Sequence, residues 1–485
     1  MPPTPQMGDR VDAQQLGRDV DAGTVVTGSY VLRGDSMMIE ARIINVANGR
    51  VARAVEPVVA HRTDPLAAVE LLRQRVAGAL ASELDRVITA LVREGSQPPT
   101  YEAYLAWVRG LDLFSRVDFA GAIPFFLRAA ALDSNFVAPL LWAAASHGNL
   151  GQMRPCDSLV QVVKGRSAQL GPLDRGLLDL WIANMKGDHA GRYNAAKRML
   201  QEAPSSEQAL FLVGWTATSA LRTNEAIAAL RRIPVERSRV HWDLYGIGLA
   251  RAYHAARRYS EELNEARRRR RSTPYWLLAM EDEGRALATL GRSEELLRLT
   301  ADIVAIAPQA ARTAGRTLIV VASEAFFHGH ADDGLATLHR FDAWVEAQPP
   351  ELRHSFDIRR LVAMARYYQR DWWAADSMLT ALVAARPQDP ELPGWLGATA
   401  AQRGDTARAL HLTAALAALD VPYLLGANTL ARARIATVLG RRAEAIALTR
   451  QSIAEGQEYE SIHRLPELQS LRGEPEFDQM LRTVE

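Results

Sequence analysis

Residues 110–129 read GLDLFSRVDFAGAIPFFLRA, and their spacing decides the fold: Gly110, then Ala122 twelve positions on, then Phe126 four beyond it, with Leu113 and Ala129 between and after. The order recurs as Ala183–Ala195–Met199, Gly214–Ala226–Leu230, Ala363–Ala375–Leu379, Gly397–Ala409–Thr413 and Ala433–Ala445–Thr449. Marking the small residue of each unit gives Gly110, Ala144, Ala183, Gly214, Ala250, Gly284, Ala322, Ala363, Gly397 and Ala433, about 36 residues apart. Self-similarity at this period predicts stacked helical hairpins, each burying its apolar face against its neighbours. Two helices approach closely only where Gly or Ala sits at the crossing, and the larger residue one turn later fills the groove toward the next hairpin. In the second, fifth, sixth and seventh units Cys156, Glu262, Leu296 and Gly334 occupy the Ala position. Spacings of 38 to 41 between Gly284 and Ala363 predict longer turns or helices there.

This pattern resembles the tetratricopeptide repeat family, whose period is about 34 residues. Pro274, Pro308 and Pro387 stand where that family ends its second helices, and a proline stops a helix because it lacks the amide donor. The fold class expected is mainly α: a solenoid of about ten such hairpins over residues 100–456, preceded by a small α+β region. Residues 457–485, with His463-Arg-Leu-Pro466, Leu471-Arg-Gly473 and Pro475-Glu-Phe477, resemble the tail closing tetratricopeptide regions in bacterial kinase- and cyclase-associated proteins. Such a tail caps the last apolar face.

The beginning of the chain has a different texture. Residues 1–8 are expected to be disordered, and a short helix is expected near Asp9–Val20. Thr24–Leu32, Met37–Val46 and Arg50–Val59 are rich in Val, Ile and Thr, and Gly34-Asp35 and Asn48-Gly49 separate them as hairpin turns. Ile39, Ala41 and Ile43 alternate with Glu40 and Arg42, so a three-stranded antiparallel meander with one wet face is predicted. Residues Thr63–Val92 predict one long helix with an apolar stripe through Leu66, Val69, Leu72, Val76, Leu80, Leu84, Val87 and Leu91. Gly95-Ser-Gln-Pro-Pro99 then marks the boundary, which makes 9–95 the first domain. Leu16-Gly17-Arg18, Val26-Thr27-Gly28-Ser29-Tyr30, Ala41-Arg42-Ile43 and Asn48-Gly49-Arg50 resemble the later half of the TolB-type amino-terminal domain of bacterial signalling proteins, over roughly residues 9–62. The resemblance implies a first strand without counterpart here, and an unpaired strand edge invites strand addition.

Composition bounds the function. Of 485 residues, 57 are Lys or Arg and 56 Asp or Glu, so the net charge of +1 gives no general pull toward nucleic acid or acidic membranes. One cysteine allows no internal disulfide. No run of 18 uncharged apolar residues exists, and the opening MPPTPQ lacks the basic start and apolar core of a signal peptide, so a cytoplasmic location is expected. There is no Walker lysine pattern, no GxGxxG after a strand, no kinase catalytic loop and no GxSxG elbow. No catalytic residue, cofactor or metal is therefore expected. The nearest thing to a metal cluster is His328, His330, Asp332 and His339, which falls where the seventh unit turns between its helices and reads as a solvated turn. The Arg267–Arg271 run reads as cations at a helix C-terminus facing solvent, with an acidic peptide partner as the functional alternative. Cys156, at a packing position, reads as a buried structural thiol.

What remains is binding. First helices line the concave face of this architecture, and aromatic side chains there are the usual anchors. Tyr104, Trp107, Tyr245 and Tyr367 are the groove residues expected. The family resemblances imply a non-enzymatic scaffold holding a protein or peptide in bacterial signal transduction or complex assembly. The alternative they imply is the regulatory portion of a serine/threonine kinase or adenylate cyclase, with that catalytic domain as partner.

Overall fold

The computed structural model describes residues 13–84, 99–234, 243–272, 276–309, 312–463 and 465–484. The expected disordered residues 1–8, the Val87–Leu91 end of the long helix, most of the 95–99 boundary and Pro274 lie outside them. The chain forms two compact units, one of residues 1–114 and 119–178, the other of residues 115–118 and 179–485.

In the first unit, helix α1 (Ala13–Asp19) leads into β1 (Thr24–Arg33), β2 (Ser36–Asn45) and β3 (Val51–His61), an antiparallel sheet in the order β1-β2-β3. Gly34 and Gly49 take the positive φ that these tight turns demand. Ala41 and Ile43 of β2 and Val55 of β3 are buried against helix α2 (Pro65–Leu84), whose Ala79, Leu72, Val76 and Leu80 complete this small core. The apolar stripe is narrower than its sequence suggests: Leu66 and Val69 are exposed, and the face that meets the sheet runs through Leu72, Val76, Ala79 and Leu80.

Ten helical hairpins follow among the described residues. They are α3–α4 (Tyr101–Ser115, Phe119–Leu132), α5–α6 (Ala138–Asn149, Met153–Gly165), α7–α8 (Pro172–Met185, His189–Glu202), α9–α10 (Glu207–Ser219, Thr223–Arg231) and α11–α12 (Asp243–Ala255, Tyr259–Ser272). The second five are α13–α14 (Leu277–Thr289, Ser293–Val304), α15–α16 (Ala314–Phe327, Ala331–Glu346), α18–α19 (Phe356–Tyr368, Trp372–Ala385), α20–α21 (Glu391–Gln402, Thr406–Ala417) and α22–α23 (Ala427–Val438, Arg442–Ala454), with a short α17 (Pro350–Arg353) inserted. The long α16 and the extra α17 account for the stretched spacing near Ala322–Ala363. The fold is mainly α, a solenoid-like array of helical hairpins preceded in the chain by a three-stranded meander.

The signature residues do what their size suggests. Ala122, Ala195, Ala226, Ala375, Ala409 and Ala445 are wholly buried. A Cβ on Gly110 would lie 2.6 Å from the Phe126 ring, and one on Gly214 would lie 2.3 Å from Leu230. Every hairpin turns through one residue at positive φ: Val117, Gly151, Gly187, Leu221, Arg257, Gly291, Gly329, Arg370, Gly404 and Gly440. These turn residues fix the register. In nine hairpins they lie seven positions after the marked small residue, but Gly187 lies only four after Ala183. The third hairpin is therefore read three positions too late by the Ala183–Ala195–Met199 alignment. Its equivalents of Gly110 and Ala122 are Leu180 and Arg192, so a buried charge stands at the Ala position there, as Glu262 does in the fifth.

Beyond α23, the chain makes α24 (Tyr459–His463), a 3-10 turn (Pro466–Leu471) and α25 (Pro475–Met480). Tyr459, Ile462, Leu468, Leu471, Phe477 and Leu481 bury themselves with Leu430, Ala433, Ala436, Ala445, Ile446 and Leu448 of the last hairpin. The same cluster includes Ala255 of α11, and the 3-10 turn also packs on α15. The Val484 amide donates to the Leu221 carbonyl at 2.9 Å, and Gly187 and Gly456 meet backbone to backbone. The second unit is thus braced across hairpins far apart in sequence.

Candidate functional site

The expected groove aromatics lie in packed interior. Tyr104, Trp107, Tyr245 and Tyr367 are at most 5 % exposed. Trp107 packs edge-on to Phe136, Tyr245 packs against Phe211, and Tyr367 meets Trp372 and Trp395 edge-on. These three fill space between successive hairpins, while Tyr104 stacks on Tyr101 and donates its hydroxyl to the Ala81 carbonyl of α2.

Open surface on the first helices of the second unit is found elsewhere. A cleft of about 530 Å³ runs along α15, α18, α20 and α22, with Gln457, Ser461 and Leu465 of the C-terminal segment as one wall. Ile319, Val320, Leu361 and Met364 give it an apolar floor, and Arg312, Arg316, Asp357, Arg360, Glu391 and Arg434 a charged rim. Most of these charges are anchored. Arg312 pairs with buried Glu281, Arg360 with Glu391, and Arg434 with Glu467 at 3.2 Å while stacking on Trp395 at 3.5 Å. Anchored arginines and carboxylates beside an apolar floor can orient a chain laid across them.

The second feature is buried and polar. His254 near the end of α11, Glu324 on α15, His328 at the α15–α16 turn and His463 at the end of α24 converge. The Nε2 atoms of His254 and His463 stand 2.9 Å apart, and Glu324 Oε1 lies 2.9 Å from His463, 3.0 Å from His328 and 3.4 Å from His254, all at Nε2. His254 Nδ1 is 2.8 Å from the wholly buried Glu262 carboxylate. His463 Nδ1 lies 3.3 Å from the Tyr459 hydroxyl, and Arg285 Nε donates to Glu324 Oε2 at 3.2 Å. Burial opposes a charge on His254, and Arg285 adds to that, but Glu262 and Glu324 outweigh both and raise its pKa to about 9. Burial dominates at His463 and lowers it to about 4. At Glu324 burial is overcome by His254, His463 and Arg285, which hold it well below the usual carboxylate range. A cavity of about 40 Å³, lined in part by Trp215, Ser219, Arg251 and Tyr459, borders His254 and His463.

Sequence reading separated these partners. The turn at His328–His330 forms as expected, with His339 and Asp332 exposed, but His328 joins residues distant in sequence. One signal was available: Glu262 breaks the repeat at a position that elsewhere holds a buried small residue, and an acid there needs a partner. Arg192, the other charge at that position, pairs with Glu458 of the C-terminal segment at 2.7 Å. The Arg267–Arg271 run is not a solvated face. Arg267 and Arg270 pair with Glu283, Arg268 with Glu265, and Arg269 with Asp282 at 2.6 Å above the Trp276 ring, so the run is stitched largely to the next hairpin.

Among the described residues no helix is long and apolar enough to cross a membrane. The FlgO protein family matches residues 10–64, the α1–β3 portion, where the sequence suggested a TolB-type domain. No curated protein matches the chain. Among solved structures, a tetratricopeptide repeat protein from Parabacteroides merdae is 13 % identical with a TM-score of 0.31, covering 62 % of this chain and 99 % of its own. The Cut9–Hcn1 hetero-tetramer of the APC/C is 12 % identical with a TM-score of 0.32, covering 83 % of this chain and 81 % of its own. The human IFIT1 dimer bound to m7Gppp-AAAA is 11 % identical with a TM-score of 0.37, covering 80 % and 83 %.

Proposed function

We propose that the chain is a non-enzymatic helical-repeat scaffold that holds a protein or peptide partner, working in bacterial signalling or complex assembly. The observation that carries this reading is the cleft of about 530 Å³ along α15, α18, α20 and α22, apolar at Leu361 and Met364 and charged at its rim. Its size suits a few side chains of an extended or helical segment, and stacked first helices offer the repeated surface such a segment needs. The signalling role rests on the resemblance of the repeats and tail to kinase- and cyclase-associated regions. A photo-crosslinking amino acid at position 364 should trap one partner from the native cell, and the same group at exposed Trp373 on α19 should not. The trapped partner, purified, should bind the wild-type chain and lose about tenfold or more in affinity for Met364→Glu. Equal trapping at both positions, or unchanged affinity, would remove the cleft from the proposal.

A further inference from the structure

We propose that His254, His328, His463 and Glu324 form a Zn²⁺ site that clips the C-terminal segment to α11 and α15. Four potential ligand atoms, three imidazole nitrogens and one carboxylate oxygen, all lie within 4.8 Å of one another. Four of their separations are 2.9–3.4 Å. Tetrahedral zinc with bonds of about 2.0–2.1 Å places its ligand atoms about 3.3 Å apart, so small side-chain adjustments close the site around an ion.

Hydrogen bonding alone leaves this arrangement poorly served. His254 Nδ1 faces the Glu262 carboxylate and donates its proton there, which leaves Nε2, 2.9 Å from His463 Nε2, as the ring position where a metal ion would take the place of the second proton. His328 Nε2 is buried without a hydrogen-bond partner, although it points at Glu324. One oxygen, Glu324 Oε1, is the common neighbour of all three imidazole nitrogens. A cation at the centre, in place of that second proton, meets all of these atoms at once.

The surroundings match a metal site in a second respect. Glu262 orients His254, the Tyr459 hydroxyl faces His463, and Arg285 holds the other oxygen of Glu324, leaving Oε1 aimed inward. Such outer partners fix ring orientation and ligand basicity in metal centres. Within this group Glu262, Glu324 and Arg285 sum to a single negative charge, which a dication would meet once it displaces the second proton of His254. The ligand set selects the ion. Hard cations such as Ca²⁺ and Mg²⁺ take six or more oxygens, and Cu²⁺ prefers a tetragonal plane, whereas four compact nitrogen and oxygen ligands suit Zn²⁺. With all four positions filled by protein, the site is structural rather than catalytic. The adjoining cavity, partly lined by half-exposed Trp215 and Arg251, gives the ion a way in.

The test uses the full chain purified without a histidine tag, stripped with chelator and titrated with Co²⁺ and then Zn²⁺. One equivalent of Co²⁺ should bind with the intense visible absorption of a four-coordinate ion, and Zn²⁺ should displace it. Zn²⁺ should also raise the melting temperature and slow proteolysis near residues 457–465. His328→Asn, at a half-buried position, should weaken Zn²⁺ binding by about a hundredfold or more while the stripped variant melts as the stripped wild type does. Wild-type protein that takes up less than one equivalent, or uptake that survives both His328→Asn and His463→Gln, would overturn the proposal.

Discussion

At the scale of single residues, the hairpins are governed by what fits at a crossing. Gly110 and Gly214 stand where a Cβ would already collide with Phe126 and Leu230, so Gly110→Leu and Gly214→Leu are expected to destabilise by about 1–3 kcal/mol or more in urea titrations. The turns offer the opposite opportunity. Arg370 is exposed at a φ of 62°, and Arg370→Gly should stabilise by roughly 0.5–1 kcal/mol, because relief of left-handed strain exceeds the entropy that glycine adds to the unfolded chain. Cys156 is wholly buried, and burial pushes its thiol up to about 12. Thiol reagents at pH 8 should label it only after denaturant is added, and rapid labelling of native protein would contradict the packing described. The small residues were legible in the sequence because their role is local and repeats. The aromatics were not: a Tyr on a first helix looks the same whether the next hairpin covers it, as at Tyr367, or leaves it open.

Among the elements, the C-terminal segment departs most from a simple cap. Its position over the last hairpin follows from apolar spacing at Ile462, Leu468, Leu471 and Phe477, and those residues could be read directly. Its reach to α8, α11 and α15 could not, since Arg192–Glu458, His254–His463 and Glu324–His463 join positions separated by 266, 209 and 139 residues, and no periodicity encodes such pairs. The trace they left was the exception in the pattern, Glu262 and the misregistered Arg192. Arg434 and Glu467 make a comparable tie between α22 and the 3-10 turn, with side chains 3 % and 8 % exposed. Glu467→Gln should therefore cost about 3 kcal/mol, because it strands a buried guanidinium. The paired change Arg434→Met with Glu467→Leu should recover most of that loss in the same denaturation assay.

For the whole molecule, a repeat array ordinarily gains its stability from nearest neighbours and can fray from either end. The second unit instead has long-range ties, and six large side chains of its C-terminal segment are buried, worth on the order of 10 kcal/mol by area. Removing residues 457–485 should replace one steep unfolding transition with a shallow one and speed amide exchange in α11 and α15 more than in α19. Equal exchange in all three helices would mean that the segment covers the last hairpin and no more.

The segment that locks the second unit lies C-terminal to every element it touches. On the ribosome it is therefore made after α8, α11, α15 and α22 have emerged, and until then His254 and Glu324 wait without His463. Until residues 457–481 arrive, the nascent chain shows chaperones an inner face that the finished protein conceals, which makes the emergence of that segment the step most sensitive to misassembly.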